Sequence, residues 1–595
     1  MPTPIARILD ARGATRVRFA PDGSWVGYVT DLTGTPQLWR VAVAGGMPQR
    51  LSFDCDRVGA YRISPDGRRI AYGADMGGDE RWQIWVMDQG GTNARRLSER
   101  DDRIHHLRAW TADGRTLLVH ANLRDPRFFD LWAFDAETGA SRMLHQHDGT
   151  VSGATPLDDG SVVVAVNRAR GDLNHLLLIT PDGAVRQLTP DDPPALHSVV
   201  GAVPGGLVVR SDRGRDFVGL AAVALTDGAF TWLRSPDHDV ESAESSGPID
   251  AYSVNVEGFS EVHILEGERD DTLGGLPPGC LATDLIGDSL AQSTDTVAVA
   301  WARYDAPSTV YVARRGERPR ELVPAVLAGV APSALPDTKL VSWPTFDGRR
   351  IPGFLLTPRA APATPRPTVI EVHGGPEGQA RPLWNPRTVA LVANGFNVLL
   401  PNVRGSTGYG KTYESLDDVK LRMDPVRDLD AAAAWLAGAG IAPRDKIGVM
   451  GQSYGGYLTL AAVAFFPERN WAAAVDLYGI ANFITFFEHT DPWRRPLRAV
   501  EYGDPLKDRD FLISVSPITK LDLIRAPLLV IHGANDPRVP IVETEQIVAA
   551  LRANGREVEY LRYEDEGHSL AKAKNRADAY PRVLAFFQRH MGPER

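Results

Sequence analysis

Gly451-Gln452-Ser453-Tyr454-Gly455 decides how this chain reads. The mostly apolar stretch before it, Lys446 to Met450, reads as a short buried strand. The Ala/Leu/Phe-rich stretch after it, Gly456 to Phe466, reads as a helix. A G-x-S-x-G string between strand and helix is a nucleophile elbow. The turn is so tight that the positions two either side of the serine leave no room for a Cβ. Ser453 then stands at the tip with its hydroxyl exposed, and the N–H of Tyr454 points the same way.

Working outward, an acid and then a histidine follow in the order an α/β-hydrolase requires. Ala526 to His532 is a nearly continuous apolar run, a buried strand, and Gly533-Ala534-Asn535-Asp536 is the loop at its carboxyl end. Glu557 to Tyr563 is the next strand, closed by Glu566-Gly567-His568. Asp536 and His568 therefore fall at strand ends on the same sheet edge as Ser453, where open α/β sheets place their chemistry. A serine hydroxyl needs a base to take its proton, an imidazole titrating near neutrality can take and return it, and an aspartate fixes the imidazole tautomer. Ser453, His568 and Asp536 are the candidate nucleophile, base and orienting acid.

Donors for the oxyanion complete the set. The elbow supplies the Tyr454 N–H. Pro367 to Val372 reads as an earlier strand ending in His373-Gly374-Gly375-Pro376, whose glycines let the backbone approach a substrate. The Gly375 N–H is the second candidate donor. His373 reads as a brace for this loop, since the triad already has its base.

The 595 residues exceed what one hydrophobic core organises, so two or more domains are expected. The net formal charge of −10 points away from nucleic acid and anionic membranes. With only Cys55 and Cys280, no disulfide framework supports the fold and a reducing compartment is natural. No run approaches the roughly 18 apolar residues that cross a bilayer, and the amino terminus lacks the apolar core of a signal peptide. A cytoplasmic protein without metal or cofactor is the expectation.

The first half repeats. Ala20-Pro21-Asp22-Gly23 recurs as Ser64-Pro65-Asp66-Gly67 and Ala112-Asp113-Gly114, then in degenerate form at Asp159-Gly160 and Pro204-Gly205-Gly206. Alternating strand-like runs follow each turn, and the period of about 45 residues is that of a propeller blade. The repeats predict a β-propeller of about seven blades over 14–325 after an extension over 1–13, with blades six and seven lacking the turn signature. Residues 326–338 read as a linker, and 339–595, with strands alternating with helices, as an α/β-hydrolase domain.

A propeller followed by such a domain resembles the prolyl oligopeptidase family of serine peptidases. The motifs that carry the resemblance are H-G-G-P at His373, N-V-R-G-S-T-G-Y-G from Asn402, G-Q-S-Y-G-G-Y at Gly451, H-G-A-N-D-P-R-V-P at His532 and E-G-H at Glu566. Within the family they look most like the acylaminoacyl peptidase and dipeptidyl aminopeptidase-like branch. The resemblance implies that Ser453, Asp536 and His568 are the triad and that Tyr454 and Gly375 are the oxyanion donors. It also implies that Arg538 binds a substrate carbonyl or carboxylate and that Val539 walls the pocket for the side chain before the cut bond. Phe483, Phe486, Phe487 and Trp493 are candidates for the rest of that pocket. Aminopeptidase members grip the free amino terminus with propeller carboxylates, which makes Asp79 or Glu80 candidates. Read without the resemblance, Gly77-Gly78-Asp79-Glu80-Arg81 is a solvated charged loop.

The expected function is a serine exopeptidase or oligopeptidase acting on short peptides or N-acylated peptides, with the propeller restricting substrate size. A carboxylesterase or amidase is the alternative, because the same machinery serves esters. Edge strands in this family sometimes pair between subunits, so a homo-oligomer is allowed.

Overall fold

The propeller's central strands are largely apolar because they are covered on both faces. Val162, Val164 and Val166 pack toward the preceding sheet while Val163 and Ala165, one residue out of phase, pack toward the next. The same parity is found around the ring, so each core lies between two neighbouring sheets. In the computed structural model, which describes residues 5–592 except 54, 168–172, 246–249, 283–287 and 360–364, these are seven blades. Among the described residues, six are antiparallel sheets of four consecutive strands and the last, within Cys280–Val323, has five. Each blade comes from one contiguous segment. The ring closes with Ala14, Val17 and Val26 of blade 1 packed against Ala298, Ala300 and Val310 of blade 7, and with backbone hydrogen bonds exchanged between Arg12 and Val326.

The repeated aspartates shape the outer turns. Asp22, Asp66, Asp113 and Asp159 each accept a hydrogen bond from the N–H two residues on. Blade 7 makes the corresponding turn with Thr294 in a left-handed conformation, while that of blade 6 falls at 246–249, outside the described residues.

The second domain is an eight-stranded sheet of β1 (Pro336–Pro344), β2 (Arg350–Pro358), β3 (Thr368–Val372), β4 (Asn397–Pro401), β5 (Ile447–Gln452), β6 (Ala474–Leu477), β7 (Leu528–Gly533) and β8 (Val558–Tyr563). Its order is β1-β2-β4-β3-β5-β6-β7-β8, parallel from β4 onward. The sheet begins at Pro336, inside the stretch read as linker, because Pro336 to Thr338 already pair with Leu356 to Pro358. The helices used below are α1 (Ile5–Leu9), α2 (Pro386–Ala393), α3 (Asp424–Gly438), α4 (Tyr454–Phe465), α5 (Phe483–His489), α6 (Arg494–Tyr502), α7 (Val542–Ala553) and α8 (Ala573–Met591).

Successive strand residues again part company: Val449 packs with α3 and α4 on one face, Met450 with α8 on the other. The short α1 packs on α2, burying Ile8 against Val389 and Ala390. Among the described residues no helix is long and apolar enough to cross a membrane.

Candidate active site

Ser453 lies between the end of β5 and the start of α4 at φ 58°, ψ −121°, a conformation that L-residues rarely adopt. The flanking glycines are required by backbone on both sides. A Cβ on Gly451 would collide with the Gly455 carbonyl, and one on Gly455 with the carbonyls of Val372 and His373. The strained turn sends the Ser453 hydroxyl away from the helix toward His568, whose Nε2 is 2.9 Å from Oγ.

His568 Nδ1 is 2.6 Å from Asp536 Oδ2. The other carboxylate oxygen, Oδ1, accepts the N–H groups of Arg538 at 2.8 Å and Val539 at 3.0 Å. His532, at the end of β7, approaches Oδ2 at 3.3 Å. Burial alone would raise the Asp536 carboxyl, but the His568 charge and the hydrogen bonds from both histidines overcome it and hold the group well below the carboxylate range. Burial pushes His568 below its ordinary 6.5, and Asp536 restores only part of the loss. At neutral pH the ring is therefore a free base, with Nδ1–H toward Asp536 and the Nε2 lone pair toward Ser453. Glu566 holds the histidine loop by accepting the N–H groups of Ala571 at 3.0 Å and Lys572 at 2.9 Å.

Tyr454 is the first residue of α4, so its N–H has no carbonyl four residues back to bond. Its ring is clamped from below, the hydroxyl being 2.7 Å from Arg422 Nη1 and 2.8 Å from Asp417. Arg422 is wholly buried between Asp417 and Glu501. With Asp418 these acids bring three carboxylates within 4.8 Å of one another, and Arg422 is the cation they hold. No motif in the sequence links these residues to the elbow. On the opposite side a Cβ on Gly374 would come 3.1 Å from the Ser453 Cβ, so the glycine loop lies directly against the nucleophile. Gly375 lines the same cavity as Ser453. His373 is engaged with its own loop, 3.0 Å from the Gly374 carbonyl and 2.8 Å from Ser406 Oγ.

These groups open into a cavity of about 2700 Å³ between the two domains. Val539, Phe486, Trp493 and Ile480 line it beside the triad. Phe483 and Phe487 do not: they are four apart on α5, share a face, and turn into the core. The expectation for Phe487 as a pocket residue is corrected accordingly.

Glu80 overturns the reading of its loop as solvated. It is buried and lines the cavity, with Arg538 Nη2 2.8 Å and Arg494 Nη2 3.1 Å from its carboxylate. Burial opposes its charge, and the two guanidiniums more than compensate, leaving it below the usual range. Asp79 turns back to accept the Arg81 N–H at 2.9 Å. Arg538 thus meets the propeller first, its guanidinium occupied by Glu80. The adjacent Gly77 carbonyl accepts from Asn535 Nδ2 at 3.0 Å, and a Cβ on Gly567 would collide with the Gly78 carbonyl. The blade-2 loop therefore rests on the loops that carry Asp536 and His568.

A sequence profile of the prolyl oligopeptidase family matches residues 384–594. Dipeptidyl aminopeptidase BIII of Pseudoxanthomonas mexicana is 28% identical over 94% of this chain and 84% of its own length. The acylamino-acid-releasing enzyme of Homo sapiens is 27% identical over 42% of this chain and 35% of its own. Among solved structures, that of a puromycin hydrolase superposes with a TM-score of 0.88 at 20% identity, covering 100% of this chain and 97% of that one.

Proposed function

The chain belongs to the prolyl oligopeptidase family of serine peptidases, and from that premise we propose that it cleaves short peptides through an acyl-enzyme on Ser453. One observation carries the reading: the hydrogen-bonded series Ser453–His568–Asp536 opens into a cavity enclosed by propeller and hydrolase together. His568 takes the Ser453 proton as Oγ attacks the scissile carbonyl. The Tyr454 and Gly375 N–H groups stabilise the oxyanion, and His568 then gives the proton to the departing amine. Water, activated by the same imidazole, releases the acyl group.

Val539, Phe486 and Ile480 form an apolar wall for the side chain on the acyl side. Glu80 supports a free amino terminus as the preferred end of the substrate. It is a charged carboxylate in the cavity wall, and an ammonium can share its oxygens with Arg538 and Arg494. The test compares kcat/KM for one dipeptidyl anilide with its amine free and acetylated, with Ser453→Ala as the blank. Preference for the free amine supports the aminopeptidase reading, and preference for the acetylated form replaces it with acyl-peptide release. No cleavage of either, with Ser453 unreactive toward a fluorophosphonate, removes the peptidase proposal.

A further inference from the structure

The cavity continues from the triad into the mouth of the propeller channel, where the inner strands of blades 1, 2 and 3 present Arg18, Arg62 and Arg108. Each lies at or beside a β-bulge. The pairing register shifts between Thr15 and Arg18 and between Val58 and Tyr61, and Arg108 is skipped between the pairs made by Leu107 and Ala109. A bulge re-aims a side chain out of the strand's ordinary alternation, and here it brings three guanidiniums into one channel.

Their charges are not balanced. Arg18 and Arg62 share a single carboxylate, Asp288, with Arg62 Nη1 2.9 Å from it. Arg108 is held by its stem, donating Nε–H to His120 Nδ1 at 2.9 Å. Its terminal nitrogens make no hydrogen bond or ion pair among the described residues. Glu244 faces the same group, but burial pushes it up to about 7, so it supplies only part of a charge at neutral pH. Burial and the neighbouring Arg62 bring Arg108 down to about 10, as expected of a guanidinium short of a counter-ion. An unpaired buried charge is costly, whereas a planar fork with free N–H groups suits a carboxylate.

A chain of contacts runs from this site to Glu80 in the substrate cavity. Trp493 packs on Phe129 at 5.3 Å, and Phe129 on His106, two residues before Arg108, also at 5.3 Å. The residue after Trp493 is Arg494, which reaches Glu80.

We propose that Arg108, backed by Arg62, is a carboxylate-binding subsite of the substrate cavity, and that it selects peptides carrying an anionic group away from the cut bond. This rests on the peptidase reading above. The carboxylate has two sources, an acidic group at the acyl end of the peptide or the free carboxyl terminus at the leaving end.

Two substrate pairs separate these sources: one peptidyl anilide with its amine succinylated or acetylated, and one pentapeptide with its carboxyl terminus free or amidated. The wild type is expected to favour the anionic member of one pair by about tenfold or more in kcat/KM, chiefly through KM. A preference within the anilides assigns the acyl end, and one within the pentapeptides the leaving end. Arg108→Met should bring the ratio to about one, and Arg108→Lys should keep part of it, because charge survives while the fork is lost. Equal rates within both wild-type pairs overturn the subsite whether or not the variants fold, as does a preference that persists in Arg108→Met. Cleavage of neutral peptides without preference sinks the subsite alone. Failure to cleave any of the four, with Ser453 unlabelled by a fluorophosphonate, sinks the peptidase reading and the subsite with it.

Discussion

In the proposed mechanism His568 is the base, in a place where carrying charge is expensive. Its burial lowers the imidazole below 6.5 although Asp536 sits against it, so the proton-accepting form persists into mildly acidic solution. The acid limb of kcat/KM should therefore have its midpoint below 6.5 rather than at the ordinary histidine value. A midpoint at or above 6.5 in a pre-steady-state pH profile would contradict this account of the site. Glu80 makes a second residue-scale prediction. Glu80→Gln removes the charge an ammonium would meet and should raise KM for a free-amine substrate about tenfold while leaving the acetylated analogue unaffected. An equal rise for both would show that Glu80 acts only through Arg538. Ser453, Asp536 and His568 were legible from their own motifs. Glu80 was not, because the arginines that explain it stand 414 and 458 positions away.

At the scale of elements, glycine records where two backbones touch. Gly451 is required within the elbow itself and Gly455 by the end of β3 packed against it, and the sequence motif marks both. Gly567 is different: the space for its Cβ is taken by the Gly78 carbonyl of the propeller. Gly567→Ala should displace the histidine loop and lower kcat by about 100-fold, since small misplacements of reacting groups carry that cost, with the fold retained. Wild-type kcat in this variant, measured alongside circular dichroism, would show that the blade-2 loop does not set the position of His568. Element types followed from periodicity, and α5 shows its limit. All three of its phenylalanines pack in the core, and only the observed orientation shows that Phe486 also reaches the cavity wall while Phe483 and Phe487 do not.

For the whole molecule, the enclosure of the nucleophile is the governing fact. Asp31 and Asp56 of the propeller bind Arg576 at 2.8 Å and Lys572 at 3.2 Å, close behind the histidine loop. On another side Asp216 accepts the Thr412 N–H at 2.7 Å. The size restriction expected of the propeller would keep a folded protein from presenting a bond to Ser453. Incubation with an intact globular substrate should leave it whole over a time that consumes a short peptide completely, as read by mass spectrometry. Rapid digestion of the folded substrate would show that the domains part freely.

The sequence by itself determined the two-domain architecture, the blade repeat and the triad. Each of these is written in local chemistry: turn residues at a fixed period, apolar alternation, and glycines that a tight turn demands. Only the tertiary structure decided which charges meet. It placed Glu80 between Arg538 and Arg494, set Arg422 beneath Tyr454, and held Arg108 on His120 through Nε–H with no ion-pair partner among the described residues. The physical reason is that electrostatic pairing depends on distance and burial in space, which position in the chain does not encode: Glu80 stands 414 and 458 positions from its arginines, whereas Arg422 stands 32 from Tyr454.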